Sequence, residues 1–281
     1  VQVNTFQFNP PPALFPFTSM TVSTTRGAVY AQNSNNSYAS NRQEHIDYFN
    51  NTGQGAMATL LSNGTYFDMP STQGYLYFEV PITATYRLRA SGGGGGPAGA
   101  PGGSAALVGG DFVLNKNDVL WITIGHAGGA GNYGGGDNAG GAGGGMSVIA
   151  KSNVTGKGFN SGQIFPLLVA AGAVGAREPR FGYSPGYGGD AGQGGGGGGF
   201  YSNWRSNSLN GSGAGYAGQI SYGGWGGGNG TDDSYGPAGG YDGIQSGSPN
   251  SFIDGNGTNQ LRSSGGGSGS HTNGYVQITK L

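Results

Sequence analysis

The sequence predicts a mainly β chain in which strands alternate with glycine helices and almost no α-helix is present. Two observations carry this. Between Gly125 and Gly143, glycine stands at 125, 128, 131, 134, 140 and 143, every third position, broken only by Asp137. Short apolar runs with period-two alternation are threaded between this run and others like it. A backbone with three residues per turn is the polyproline-II type, rising ~3.1 Å per residue with no internal hydrogen bonds. Glycine at every third place strips one edge of side chains, so that edge can lie against another backbone. The N–H groups there then need neighbouring carbonyls, because a buried orphan donor is expensive. The phase recurs at Gly96, Gly99 and Gly102, from Gly186 to Gly198, and at Gly224, Gly227 and Gly230. Collagen is excluded, since its long unbroken triplets carry Pro or hydroxyproline at ~15–20% or more. A flexible glycine linker is disfavoured by the apolar strands between the runs.

Taken in order, residues 1–12 read as an arm. Val1 and Val3 lie on one face of an alternating strand and Phe6 and Phe8 on the other, ended by the stiff Pro10-Pro11-Pro12 spacer. Such a strand pairs with its own domain or with a neighbouring subunit. Residues 13–90 form a β-rich base, opened by Phe15, Phe17 and Met20. Within it Arg42–Phe49 is the only plausible helix, with Asn41 as its cap. Thr65–Phe67, Tyr75–Val80 and Thr85–Ala90 are strand-like, with Pro81 marking a turn or an edge. Residues 91–273 form the glycine-rich region, with strands interleaved at 112–124, around a turn at Asn115–Asp118, and at 146–150 and 165–171. No strand is expected between Gly172 and Ser270 except at Gln219–Tyr222, and residues 274–281 close the base with a final strand.

Composition narrows the function. Glycine supplies 65 of 281 residues, against a usual ~7%. Charged residues make up 9% and the net charge is −1, so no basic footprint for nucleic acid or anionic lipid exists. No apolar run is long enough to span a membrane as a helix. Cysteine is absent, so resistance to extracellular conditions must come from backbone bonding rather than disulfides. No charged-then-apolar leader precedes Val1, so any signal peptide is expected to be removed or absent. N-x-S/T triplets at Asn35, Asn50, Asn63, Asn153, Asn210, Asn229 and Asn256 are glycan acceptors only if the chain passes through a eukaryotic secretory route.

Catalytic and metal motifs are missing. His45, His126 and His271 lack ligand spacing and are expected to be structural or surface groups. Gly182-Tyr183-Ser184-Pro185-Gly186 fits the G-x-S-x-G string, but Pro185 has no N–H to offer an oxyanion. Lys157 is followed by Gly158 rather than Ser or Thr, so no P-loop is present. Asp137, Asp232 and Asp233 offer oxygens for calcium but lack the regular apolar position of calcium-binding repeats. We therefore expect no catalytic residue, no metal and no cofactor.

The aromatic loops point elsewhere. Phe200, Tyr201, Trp204 and Arg205 stand among Ser and Asn, a palette suited to recognition surfaces. Tyr183, Tyr187, Trp225, Tyr235 and Tyr241 belong to similar loops. They serve either to bind a partner or to cap glycine-helix ends with apolar area.

Several segments together resemble a known family. Phe78-Glu79-Val80-Pro81 and Thr85-Tyr86-Arg87-Leu88 run into Gly92; Phe112-Val113-Leu114 precedes Asp118-Val119-Leu120 and Ile124-Gly125; Gly143–Val148 precedes Pro166–Gly172; and Gly274-Tyr275-Val276 closes the domain. In order and character these resemble the glycine-rich domain of anaplastic lymphoma kinase-type receptor ectodomains and of bacterial, phage and giant-virus surface proteins. The resemblance implies an antiparallel β-sandwich base carrying a bundle of polyglycine-II helices. It departs from that family in lacking Cys, in Ala84 where glycine is usual, and in Ala173-Val174 within a run usually made of glycine. The glycine and aromatic loop style is also similar to phage tail-fibre adhesins. Together these give the expected function: a non-enzymatic structural or adhesion protein, extracellular or on a virion surface. Its expected partners are a host-surface protein or glycan, copies of itself, or other virion proteins. The alternatives are a filament or shell subunit assembling through its N-terminal strand, and a secreted receptor-type ligand-binding domain.

Overall fold

The computed structural model describes residues 18–27, 40–70, 74–97, 101–130, 141, 143–153, 156–157, 164–175, 251–263, 267 and 271–281. Its elements in chain order are β1 (Ser19–Val22), α1 (Arg42–Asn51), α2 (Gly55–Asn63), β2 (Phe67–Asp68), β3 (Tyr75–Glu79), β4 (Ala84–Ser91), β5 (Leu107–Leu114), β6 (Val119–Thr123), β7 (Ser147–Ser152), β8 (Ile164–Ala170), β9 (Phe252–Ile253), β10 (Thr258–Ser263) and β11 (Tyr275–Lys280). The chain is mainly β. One sheet has five strands in the order β1-β11-β4-β5-β10, the other six in the order β2-β3-β6-β7-β8-β9. Every pairing between these strands is antiparallel.

The alternation seen in the sequence sorts side chains between faces. Leu88, Ala90, Phe112, Leu114, Val276 and Ile278 of the five-stranded sheet share one apolar core with Leu76, Phe78, Leu120, Ile122, Ile149 and Leu168 of the six-stranded sheet. The six-stranded sheet is buried on its other face as well, where Tyr75, Tyr77, Trp121, Val148 and Val169 form a second cluster. That explains its nearly continuous apolar strands, such as Val119–Thr123. The outer face of the five-stranded sheet is polar instead. Arg87 there pairs with Asp111 through two bonds of 2.7 and 2.9 Å. These bonds, with one from Asn259, hold the Asp111 carboxyl down at about 2.

Three elements, α2, β9 and β10, depart from what the sequence predicts. The expected helix exists as α1, and Asn41 caps it through a reciprocal box with Glu44. A second helix, α2, follows. It starts with glycine and has no side-chain cap at its entry, so local propensity gives no signal for it. It forms because Met57, Ala58 and Leu61 bury against the core, and it stops where Gly64 turns left-handed at φ 65. The expectation of no strand between Gly172 and Ser270 outside 219–222 is also wrong. β9 and β10 lie there, β9 pairing with β8 and β10 with β5. β10 is a polar edge strand, exposed at all but its last residue, and therefore has no alternation to read. The turn at 115–118 forms as expected, Asp118 N–H bonding to the Asn115 carbonyl at 3.0 Å.

Candidate functional site

Six short extended threads prolong the strands. Thread I (92–97) continues β4 and thread II (101–106) leads into β5; thread III (125–130) follows β6 and thread IV (143–146) leads into β7; thread V (171–175) follows β8 and thread VI (271–274) leads into β11. The six thus extend three adjacent strands of each sheet: β11, β4 and β5 on one side, β6, β7 and β8 on the other. While side chains fill the space between the sheets, those backbones stay apart. Where the strands pass into glycine, the two layers approach to hydrogen-bond distance.

Thread I lies at the centre. Its Gly92 and Gly95 N–H groups donate to thread II, at Ala106 (3.2 Å) and Gly103 (3.0 Å). Gly93 donates to Gly145 of thread IV at 2.9 Å, and Gly94 to Thr272 of thread VI at 2.8 Å. The donor direction therefore repeats every three residues. Its carbonyls accept in turn from Ala173 of thread V, Gly128 of thread III and His271 of thread VI. The surrounding threads are bonded to each other in sequence. Thread II donates to V (Gly103 to Val174), IV to V (Gly144 to Ala173), IV to III (Gly145 to His126) and VI to III (Gly274 to Gly125). Gly267 closes the remaining side, donating to Ala105 of thread II at 2.9 Å.

This arrangement decides where glycine is required. A Cβ at Gly93 would fall on the His126 carbonyl, one at Gly144 on that of Gly93, and one at Gly172 on that of Gly144. Among the described residues the glycines with positive φ are Gly53, Gly64, Gly74 and Gly156, none of them in a thread. The threads need the missing side chain, not a left-handed backbone. Gly92–Gly96 is unbroken glycine because the central thread is approached from every side. Outer threads need a bare edge on one side only, so III carries His126-Ala127 and V carries Ala173-Val174 between glycines. The sequence reading placed the organising stretch at 125–143. The centre is 92–96, and residues 131–140 and 142 lie outside the described residues.

All six threads end together. Gly95 and Gly96 are level with Gly103, Gly128, Gly129, Val174 and His271 through the bonds and close approaches above. The chain leaves threads I, III and V, and enters II, IV and VI, at this one end.

At the opposite end of the threads, a side-chain clasp ties in the segment after β1. Asn273 of thread VI donates from Nδ2 to the carbonyls of Thr24 (3.0 Å) and Arg26 (2.7 Å), and its Oδ1 accepts from Ala127 N–H at 2.9 Å. Ser23 Oγ donates to the Gly274 carbonyl at 2.6 Å. His45 of α1 holds the same segment. Its Nδ1 must carry the proton, because it meets the Ser23 carbonyl at 2.7 Å, so Nε2 accepts from Ser40 Oγ at 2.9 Å. This Ser–His pair has the atoms of a catalytic dyad. However, both residues are buried and the imidazole leans on a main-chain carbonyl rather than a carboxylate, so the pair serves as a structural tie. Burial lowers His45 to about 4 and His126 to about 3, the latter helped by the nearby Arg26 and His45 charges. The fold therefore brings two histidines within electrostatic reach that the sequence separates by eighty residues. Asn273→Asp is expected to lower the unfolding free energy by about 2 kcal/mol, read as a lower denaturant midpoint, and to cost more than Asn273→Ala, because it sets a carboxylate against two carbonyls. Equal midpoints for Asp and Asn would show that the clasp does not bear on stability.

Among the described residues no group of His, Asp and Glu is arranged to hold a metal. No helix among them is long and apolar enough to cross a membrane. The recognition candidates Tyr183, Tyr187, Phe200, Tyr201, Trp204, Arg205, Trp225, Tyr235 and Tyr241 lie outside the described residues, as do the assembly candidates Val1, Val3, Phe6 and Phe8. The loop candidates belong to residues 176–250, which follow Gly175 at the shared thread end and rejoin the described chain at Ser251. No family model matches the chain, and no curated protein matches it in sequence. What the thread end can do is read from its own geometry.

Proposed function

We propose that this is a non-enzymatic surface protein of adhesive type, in which a β-sandwich base and a bundle of polyglycine-II helices present loops to a partner. One observation carries the reading: six threads around and including an all-glycine axis end at one level, so separate loops spring from a common rigid platform. A donor direction that repeats every three residues, in extended chains bonded only to their neighbours, is what a polyglycine-II packing requires. Recognition loops work best on a scaffold that keeps them from moving relative to each other. The aromatic, Ser and Asn composition of residues 183–241, with Arg205 beside Trp204, supplies rigid contact area at low entropic cost. The partner class this suits is a glycan or a protein on a cell surface, and the setting is the outside of a cell or a virus or phage particle.

The test uses the full chain, labelled with a fluorophore, on a glycan array and a panel of bacterial and eukaryotic cells. Binding to a defined glycan or cell type is expected, and Trp204→Ala with Arg205→Ala is expected to remove it while the melting temperature stays within a few degrees. Binding that survives the double substitution would move the contact away from these residues. Release of reducing sugar from a bound glycan would replace adhesion with hydrolysis.

A further inference from the structure

Sheet edges are where one chain most readily accepts a strand of another. Three of the four edges here are closed or short. β1 is closed by a side chain, since Gln54 accepts from Thr21 N–H at 2.8 Å through Oε1 and donates to the Thr21 carbonyl at 3.0 Å through Nε2. The amide thereby occupies the positions a neighbouring strand would use. β2 and β9 have two residues each, and α2 packs against β2. β10 is different. It has six residues, bulged between Thr258 and Leu261, and among the described residues no backbone group bonds it on the side away from β5. Leu261 stands 37% exposed along it. Its one charged side chain, Arg262, is turned back onto the Ser251 carbonyl at 3.2 Å.

We propose that the β10 edge receives the N-terminal strand Val1–Phe8 of a second copy of this chain, joining copies head to tail. The arm VQVNTFQF has no charge, alternates, and carries apolar residues on both faces. One face covers Leu261 while its backbone takes up the edge N–H and carbonyl groups. The direction follows from topology. The arm precedes β1, and β1 and β10 are opposite edges of the same sheet, so donor and acceptor surfaces differ and face away from each other. A contact of that kind is heterologous and grows into a ring or a filament. For the arm to reach its own β10 it would have to cross the outer face of the sheet, about 19 Å over four strand spacings. On that face Val113 is 71% exposed. Gln54 excludes the symmetric alternative in which two β1 edges pair. This assembly is independent of the adhesive reading, since neither the thread ends nor residues 183–241 take part.

The chain has no cysteine, so single thiols report unambiguously. Val3→Cys and Leu261→Cys are made in separate full-length chains, mixed, and bridged with a short bismaleimide; a third chain carries both. The expected product of the mixture is a heterodimer with twice the 28.1 kDa chain mass, and of the double variant a ladder of joined copies. Homodimers of the Leu261→Cys chain alone would mean that β10 edges pair with each other, overturning the proposal. A bridged monomer from the double variant would place the arm on its own sheet and overturn it too, as would a mixture that stays monomeric.

Discussion

Gly93→Ala is expected to abolish folding, while Gly27→Ala, in the same protein, leaves stability within ~0.5 kcal/mol of the parent. Both add one methyl group to a glycine whose φ is not positive. At Gly27 a Cβ meets nothing within 4 Å. At Gly93 it meets the carbonyls of His126 and Gly125, and neither can retreat. His126 accepts from Gly145, Gly125 accepts from Gly274, and Gly93 itself is bonded to Gly145 and Ala173. Relief would require breaking several backbone bonds in a buried site, each leaving a polar group without a partner at a cost of ~1–3 kcal/mol. The sum reaches the whole stability of an ordinary domain, ~5–15 kcal/mol. Soluble yield, far-UV circular dichroism and the melting midpoint check this, with Gly144→Ala and Gly172→Ala as further cases. A Gly93→Ala protein melting within a few degrees of the parent would show that thread I is not packed as described.

The packing of the threads also determines which parts of the fold are legible in the sequence. Glycine every third residue is readable because an outer thread has one bare edge and two free ones. Gly125 and Gly128 in thread III, and Gly172 and Gly175 in thread V, keep that spacing with His, Ala and Val between them. The axis is harder to recognise. A thread approached from all sides needs glycine at every place, and Gly92–Gly96 looks in isolation like a flexible linker. Only its bonds to all five neighbours mark it as the centre. The strands β3 to β8 and β11 are legible because burial imposes alternation or apolar runs. β10 and α2 are not: one is an exposed polar edge, and the other is a helix with a poor start held by Met57, Ala58 and Leu61 against the core. The Asn273 clasp gives no sequence signal at all, because its partners are main-chain carbonyls some 250 positions away. The candidate recognition residues stand out in the sequence by side-chain chemistry alone. What the fold adds is the place from which their segment departs.

Acid should unfold this protein in a pH range set by histidine rather than by carboxylates. His45 and His126 are fully buried and neutral, with folded values lowered to about 4 and about 3 from 6.5. For His45 the cause is burial, partly opposed by the Ser23 carbonyl; for His126 it is burial, then Arg26 and His45. Between about pH 6.5 and these values the unfolded chain binds more protons than the folded one, so stability rises with pH across that window. Read downward, the loss begins near pH 6.5 and is complete only below the folded values. At 1.36 kcal/mol per unit it amounts to roughly 3 kcal/mol for His45 and somewhat more for His126. Paired carboxylates add their own loss lower down. Asp111, held at about 2 by Arg87, gives up its contribution only as pH falls below the ordinary 3.8. Guanidinium melts at pH 7.5, 6, 5 and 4.5 separate the two groups, since a carboxylate-only mechanism leaves the first three midpoints together. The histidine mechanism instead lowers the midpoint at every step from 6 downward with an unchanged slope. Because His45 ties the Ser23 segment that Asn273 and the Ser23 hydroxyl join to thread VI, the early loss should be cooperative with release of thread VI. Amide exchange at Gly94, whose N–H is bonded to Thr272, is expected to quicken in parallel with the falling midpoint. Midpoints that stay flat down to pH 4.5 would mean that the buried imidazoles do not govern acid stability.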